Sequence, residues 1–215
     1  NWIAFLDSDD IWYSNKLSVI SEKILKNTDC QVFCSREYKV FDKTKKKQIL
    51  KVGPYKKEFY KYMIIHGNKL STSATIISKK IVDKGLVFNE SSDLITVEDY
   101  DLWLRIAKND YKFHFVNIPL GEYLVHNNSL SQDILRHLDR TKFLLKDHVF
   151  KQQSFTSNKV FLFSFVKARI DLSKFQQLLM QKNYYRALPC FALLVLNNPM
   201  ALVYYLYLQF QNKDV

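Results

Sequence analysis

Three carboxylates in four residues, Asp7-Ser8-Asp9-Asp10, stand directly behind the apolar run Trp2-Ile3-Ala4-Phe5-Leu6. No other feature narrows the fold as much. A short, continuously apolar run predicts a strand buried on both faces of a parallel sheet. In open α/β sheets, ligands bind at the carboxyl edge of such strands. Carboxylates packed this closely repel one another unless a cation sits among them. An all-oxygen donor set suits a hard divalent cation, Mg2+ or Mn2+, which commonly bridges one or two carboxylates to a substrate's phosphates. The plain alternative is that Ser8, Asp9 or Asp10 caps the next helix. Capping accounts for one acid and leaves the other two unexplained.

Two rivals are tested on the letters. A calcium-binding EF-hand needs ligands at alternate positions and a glycine at the sixth, and Ile11 and Trp12 stand where that pattern requires polar or small residues. A metal-dependent phosphohydrolase with a nucleophilic aspartate fits the Asp7-x-Asp9 spacing. It normally continues with a small residue, where this chain has Asp10-Ile11-Trp12, and no second acidic pair marks a later strand end.

Beyond the cluster, periodicity predicts a helix over 15–26 with Leu17, Ile20 and Ile24 on one face, and a strand over 32–40. A Lys-rich loop, a helix near 58–66 and a strand over 71–78 follow. Thr96-Val97-Glu98-Asp99 opens a helix carrying Leu102, Trp103, Ile106 and Ala107. Strands are expected at 113–118, ended by Pro119, and at 122–126. From about Ser131 the pattern is helical, with Leu135, Leu138, Leu145 and Val149 on one stripe and Val166, Ile170 and Leu178 on another. The expected organisation is a mixed α/β part over 1–132 and a helical extension over 133–215.

Composition bounds the partners. Among 215 residues, 47% are hydrophobic, with only four Gly and four Pro, so a packed core is expected and low-complexity disorder is not. Cys30, Cys34 and Cys190 lack metal-finger spacing and read as buried reduced thiols of a reducing, cytoplasmic compartment. The net charge of +11 calls for an anionic partner, and no nucleic-acid-binding motif accompanies it. An acidic membrane face or an anionic substrate is the expectation, with possible peripheral contact at the inner face of a membrane. The two apolar runs at 187–196 and 200–210 are broken by Asn197-Asn198-Pro199, and each is shorter than the roughly 20 residues a spanning helix needs.

Phe5-Leu6-Asp7-Ser8-Asp9-Asp10-Ile11-Trp12 resembles the D-x-D segment of family 2 glycosyltransferases. Three further segments match that family in order. Residues 67–74 (Gly67-Asn68-Lys69-Leu70-Ser71-Thr72-Ser73-Ala74) resemble the stretch lining the donor and acceptor pocket. Residues 98–105 (Glu98-Asp99-Tyr100-Asp101-Leu102-Trp103-Leu104-Arg105) resemble its E-D-x-D-L-W-L-R helix start, and residues 123–131, from Tyr123 through His126, its tyrosine-to-histidine segment. The resemblance covers roughly residues 1–131. It implies a partial GT-A fold, a Rossmann-like mixed sheet with flanking helices, followed by the all-helical tail.

The resemblance further implies an inverting transfer of a sugar from a nucleotide-diphosphate donor to a hydroxyl of a glycan or lipid-linked acceptor. Asp9, Asp7 and His126 would hold Mn2+ or Mg2+, and Asp7, Asp9, Asp10, Ser73 and Arg105 would line the donor pocket. Asp99 would be the general base, with Glu98 the second candidate. On the residues alone, Thr96-x-x-Asp99 is also a capping box, His126 is equally a hydrogen-bonded strand end, and Arg105 can pair with Asp101 or reach a phosphate. Trp12 and Trp103 read as packing residues. In the family a strand-helix-strand half precedes the D-x-D segment, and six residues do so here. The expectation is a carboxyl-terminal portion of the catalytic domain lacking the nucleotide-binding half, with a non-catalytic remnant or binding module as the alternative.

Overall fold

The computed structural model describes residues 1–41, 44–125, 130–197, 199–200 and 202–203. The chain divides into two compact units, Asn1–Ser91 with Glu98–Leu130, and Ser92–Val97 with Ser131–Val215.

The first unit is mixed α/β. Its strands are β1 (Trp2–Ala4), β2 (Ile11–Trp12), β3 (Val32–Phe41), β4 (Lys47–Leu50), β5 (Thr75–Ser78) and β6 (Phe113–Val125), in the order β1-β5-β3-β6-β2 with β4 against β3. Only β3 and β6 run parallel; the other pairs are antiparallel. Sheet and helices follow the GT-A-like pattern that the resemblance implies. β3 is the spine: β5 pairs its first half at Val32–Cys34, β4 its second at Glu37–Val40, and β6 runs along its whole length. Phe33 and Ile76 from the sheet, Val116 and Leu120 from β6, and Ile20 from helix α1 (Lys16–Lys26) form one core cluster. Helices α2 (Phe59–His66), α3 (Lys79–Asp83) and α4 (Glu98–Lys108) complete the unit. α4 buries Leu102, Trp103, Ile106 and Ala107 as expected, and its acids open the helix while Arg105 and Lys108 close it, complementing the dipole.

Five sequence expectations are corrected. β1 is an antiparallel strand bonded to β5 alone among the described residues, with Trp2 and Ala4 exposed, and is not buried on both faces of a parallel sheet. Apolar content predicts burial but not the direction of the partner. β6 runs unbroken through Pro119, because the register against β3 slips between Ser35 and Tyr38 and a proline is tolerated at such an irregularity. The Lys-rich loop gives way to β4, a hairpin partner of β3. On α1, Leu17 is 55% exposed, and its place on the buried face is taken by Lys16 at 0%. Of the three free cysteines, only Cys34 is fully buried.

The second unit consists of α5 (Leu130–Asp147), continued by a π-helical turn at His148–Gln152, then α6 (Lys159–Met180) and α7 (Tyr184–Asn197). Leu145 and Val149 are buried from α5 and its continuation, and Val166, Ile170 and Leu178 from α6. Phe175 meets Phe191 of α7 at 4.8 Å, and Lys174 pairs with Asp139 at 3.1 Å. No helix among the described residues is long and apolar enough to cross a membrane. Residues 204–210 of the second apolar run lie outside the described residues.

Gly121 on β6 lies opposite Trp12, and a Cβ there would meet the Ile11 carbonyl oxygen at 2.5 Å. Backbone cannot swing aside as a side-chain tip does. Gly121→Ala is therefore expected to cost about 1–3 kcal/mol, measured as a lower denaturant midpoint at unchanged m-value.

Candidate active site

The Asp7–Asp10 segment links β1 to β2 and is closed on itself by the Asp10 amide, which donates to the Asp7 carbonyl at 3.1 Å. Two anchors hold it. The Asp7 amide donates to Ser73 Oγ at 3.0 Å, and the Leu124 amide donates to Asp10 Oδ1 at 3.0 Å. Asp7 and Asp9 face solvent, whereas Asp10 is 8% exposed. None of these residues caps α1: β2 intervenes and Asn15 occupies the N-cap. Capping thus gives no reason for the acidic cluster.

Ser73 is fully buried and sits at the centre of the anchoring. Its carbonyl accepts two hydrogen bonds, from Trp12 Nε1 at 2.7 Å and Lys16 Nζ at 2.5 Å. Lys16 Nζ also lies 3.9 Å from Glu37 Oε1, and the other Glu37 oxygen accepts from Ser71 Oγ at 2.6 Å. Burial lowers the Lys16 ammonium to about 8, against the upward pull of Glu37, Cys34 and Asp10, and burial raises Glu37. Sequence reading missed Lys16 because Leu17 offered a more apolar stripe. The available signal was its i, i+4 relation to Ile20.

The helix start brings a second set of acids to the same place. Asp99 Oδ2 accepts from Asn68 Nδ2 and Thr72 Oγ1, each at 3.3 Å, which ties it to the 67–74 segment. Thr96 has φ 79°, in the left-handed region rather than the extended conformation usual for a capping residue. Glu98 is close enough to Asp7 to raise its pKa, after burial and the charges of Asp10 and Asp9. The Tyr123 phenol is raised first by burial and then by the charges of Asp10, Asp9, Asp7 and Asp99. Both acidic motifs therefore converge around Tyr123, a residue the sequence offers only as part of a longer segment.

Arg105 donates from Nε to Asp101 at 2.7 Å and from Nη2 to the Val87 carbonyl at 2.6 Å. Of its two expected roles, the pairing is the one the structure displays. Trp103 is fully buried against Phe5 and Phe88, a packing residue as expected. His126 lies outside the described residues.

The carboxylate oxygens are donors of the kind a hard divalent cation takes. Among the described residues no three His, Cys, Asp or Glu side chains form a closed metal nest. Asp7 and Asp9 are exposed, and beside them the buried Asp10 has an Oδ2 with no hydrogen-bond partner among the described residues, so a cation here would draw much of its shell from elsewhere.

An uncharacterized glycosyltransferase of Methanocaldococcus jannaschii is 31% identical over 172 residues, covering 77% of this chain and 58% of its own length. The chain is related by sequence to glycosyltransferases. Two Escherichia coli relatives, WfaP and WfgD, are each named UDP-Glc:α-D-GlcNAc-diphosphoundecaprenol β-1,3-glucosyltransferase. They are each 30% identical, over 145 and 151 residues, covering 67% and 69% of this chain. The chain spans a little over half the length of these relatives, 58%, 54% and 55%. No family model matches the chain.

Burial raises the Asp10 carboxyl, with the nearby Ser73 hydroxyl and the Leu124 amide pulling the other way, and Asp7 is raised as well. A carboxyl raised on folding binds protons that the unfolded chain releases. Metal-free stability therefore increases as pH falls from the raised folded values toward 3.8, the unfolded value, and that gain is absent at neutral pH. Asp10→Asn keeps an acceptor for the Leu124 amide and removes the buried charge. Its metal-free melting temperature should equal or exceed wild type at pH 7, with the difference narrowing as the pH falls toward 4.

Proposed function

We propose that the protein containing this chain transfers a hexosyl group from a nucleoside-diphosphate sugar to a hydroxyl of a lipid-linked or glycan acceptor, with inversion at the sugar carbon. The observation that carries this reading is that adjacent residues hold the two acidic segments together, Thr72 Oγ1 donating to Asp99 and Ser73 Oγ accepting from the Asp7 amide, with Asp10, Asp9, Asp7 and Asp99 all acting on the Tyr123 phenol, in a chain related to glycosyltransferases.

Each group has a task in this reading. Asp99, oriented by Asn68 and Thr72, accepts the acceptor hydroxyl's proton as that oxygen bonds to the anomeric carbon. The bond from that carbon to the diphosphate oxygen breaks in the same displacement, and the diphosphate leaves with the electron pair. Asp9, with Asp7 beside it, would hold Mn2+ or Mg2+, whose charge neutralises the departing diphosphate when bound. Ser73 and the buried Asp10 fix the loop that presents these carboxylates. Glu98 is the second candidate base.

The acceptor side of the proposal rests on the E. coli relatives, which by name act on a diphosphoundecaprenol-linked sugar. A net charge of +11, with no Asp or Glu between Asp171 and Asp214, favours peripheral contact with the anionic inner face of a membrane.

UDP-glucose, the donor in the names of those relatives, is the first donor to assay, with Mn2+ and a GlcNAc-diphospholipid acceptor and with the product identified by mass spectrometry. Asp99→Asn should lower kcat by on the order of 10²–10⁴ while donor affinity holds. Wild-type kcat in that variant would remove Asp99 from the role of base.

A further inference from the structure

Lys16 is the largest fully buried charged side chain among the described residues, and the chemistry proposed above leaves it without a task. Placing an ammonium at 0% exposure is costly unless its contacts offset the lost hydration. Its contacts are specific. The Nζ sits 2.5 Å from the Ser73 carbonyl, 3.9 Å from Glu37 Oε1 and 4.6 Å above the Trp12 ring. Trp12 turns its indole N–H to the same Ser73 carbonyl, so the cation and the ring hold that carbonyl together. Across the peptide, Ser73 Oγ receives the Asp7 amide. A chain of direct contacts therefore runs from Glu37 on β3, through Lys16 and Ser73, to the first aspartate of the acidic loop.

We propose that Lys16 is a positioning residue for the donor site: its buried ammonium fixes the Ser73 peptide, and through it the Asp7 backbone, and supplies the resident positive charge beneath the acidic loop. The proposal rests on the reading of that loop as the donor site. Lys16 touches neither substrate nor the metal carboxylates and acts only through Ser73 and its field.

A purely mechanical brace is poorly served by this arrangement. Replacing a buried ion pair by packed apolar residues of similar volume is often neutral or stabilising, whereas removing one partner alone is strongly destabilising. Charge retained under a site crowded with Asp7, Asp10 and Glu37 has an electrostatic use that Met and Leu cannot reproduce. The groups that face the ammonium are Glu37 and Cys34 from β3 and Asp10 from the loop; together they favour its charged form, and burial opposes them.

The test uses the paired variant Lys16→Met with Glu37→Leu, which removes both members of the buried ion pair, leaves Asp10 held by the Leu124 amide, and is expected to fold as judged by its melting curve. Two readouts follow. Hydrogen exchange at the Asp7 amide should accelerate, and UDP binding in the presence of Mn2+ should weaken on the order of 10–100-fold, as for other groups that support a ligand shell. Lys16→Arg supplies the conservative rescue. It should retain UDP–Mn2+ affinity and show a smaller decline than wild type above pH 8, because a guanidinium does not titrate there. Wild-type exchange at Asp7 together with wild-type UDP–Mn2+ affinity in the paired variant would overturn the proposal. If wild type itself binds no UDP with Mn2+, the donor-site reading fails, and the Asp7 exchange rate still decides whether Lys16 sets the loop.

Discussion

Like charges crowd one end of the sheet, and most of the local architecture serves to hold them there. The charges of Asp9 and Asp10 raise Asp7, that of Asp9 raises Asp10, Glu98 adds to Asp7, and the Tyr123 phenol feels four carboxylates at once. Left to relax, such a cluster would spread into solvent. It is restrained by hydrogen bonds to groups whose own positions are set by the sheet: the Asp7 amide donates to the Ser73 hydroxyl behind the turn leading into β5, and Asp10 accepts from the Leu124 amide on β6. The folded state accepts an electrostatic cost at a place where a cation and a diphosphate would relieve it.

The restraints depend in turn on β3. This strand pairs on both sides, and it carries Glu37, which meets Lys16 through one oxygen and Ser71 through the other. Gly121 on β6 lets the Ile11 carbonyl approach closely, so that the loop is clamped between two strands of the sheet. Loop, brace and sheet thus form one connected arrangement, each part built from residues distant in sequence.

That distance explains what could and could not be read from the letters. The face of α4 was legible because Leu102, Trp103, Ile106 and Ala107 follow the helical period, and the acidic loop because three carboxylates behind an apolar run are rare without cause. Strand direction was not legible, since the apolarity of Trp2 to Leu6 is the same whether the partner runs parallel or antiparallel. Pro119 looked like a terminator, yet a register slip accommodates it. Lys16 was hidden for a further reason: a lysine at a buried position makes sense only when Glu37, 21 residues on, and the Ser73 carbonyl, 57 residues on, are seen beside it. Asp99 was legible as an acid at a helix start; its orientation by Asn68 and Thr72 was not.

The central claim is that the acidic loop receives a divalent cation together with a nucleoside diphosphate. A crystal structure of the protein soaked with Mn2+ and UDP tests it most directly, through the anomalous signal of manganese. The account predicts a manganese peak in contact with the Asp9 carboxylate, with Asp7 beside it and the UDP diphosphate completing the shell. Manganese located elsewhere, or UDP bound at a distance from the 7–10 loop, would contradict it.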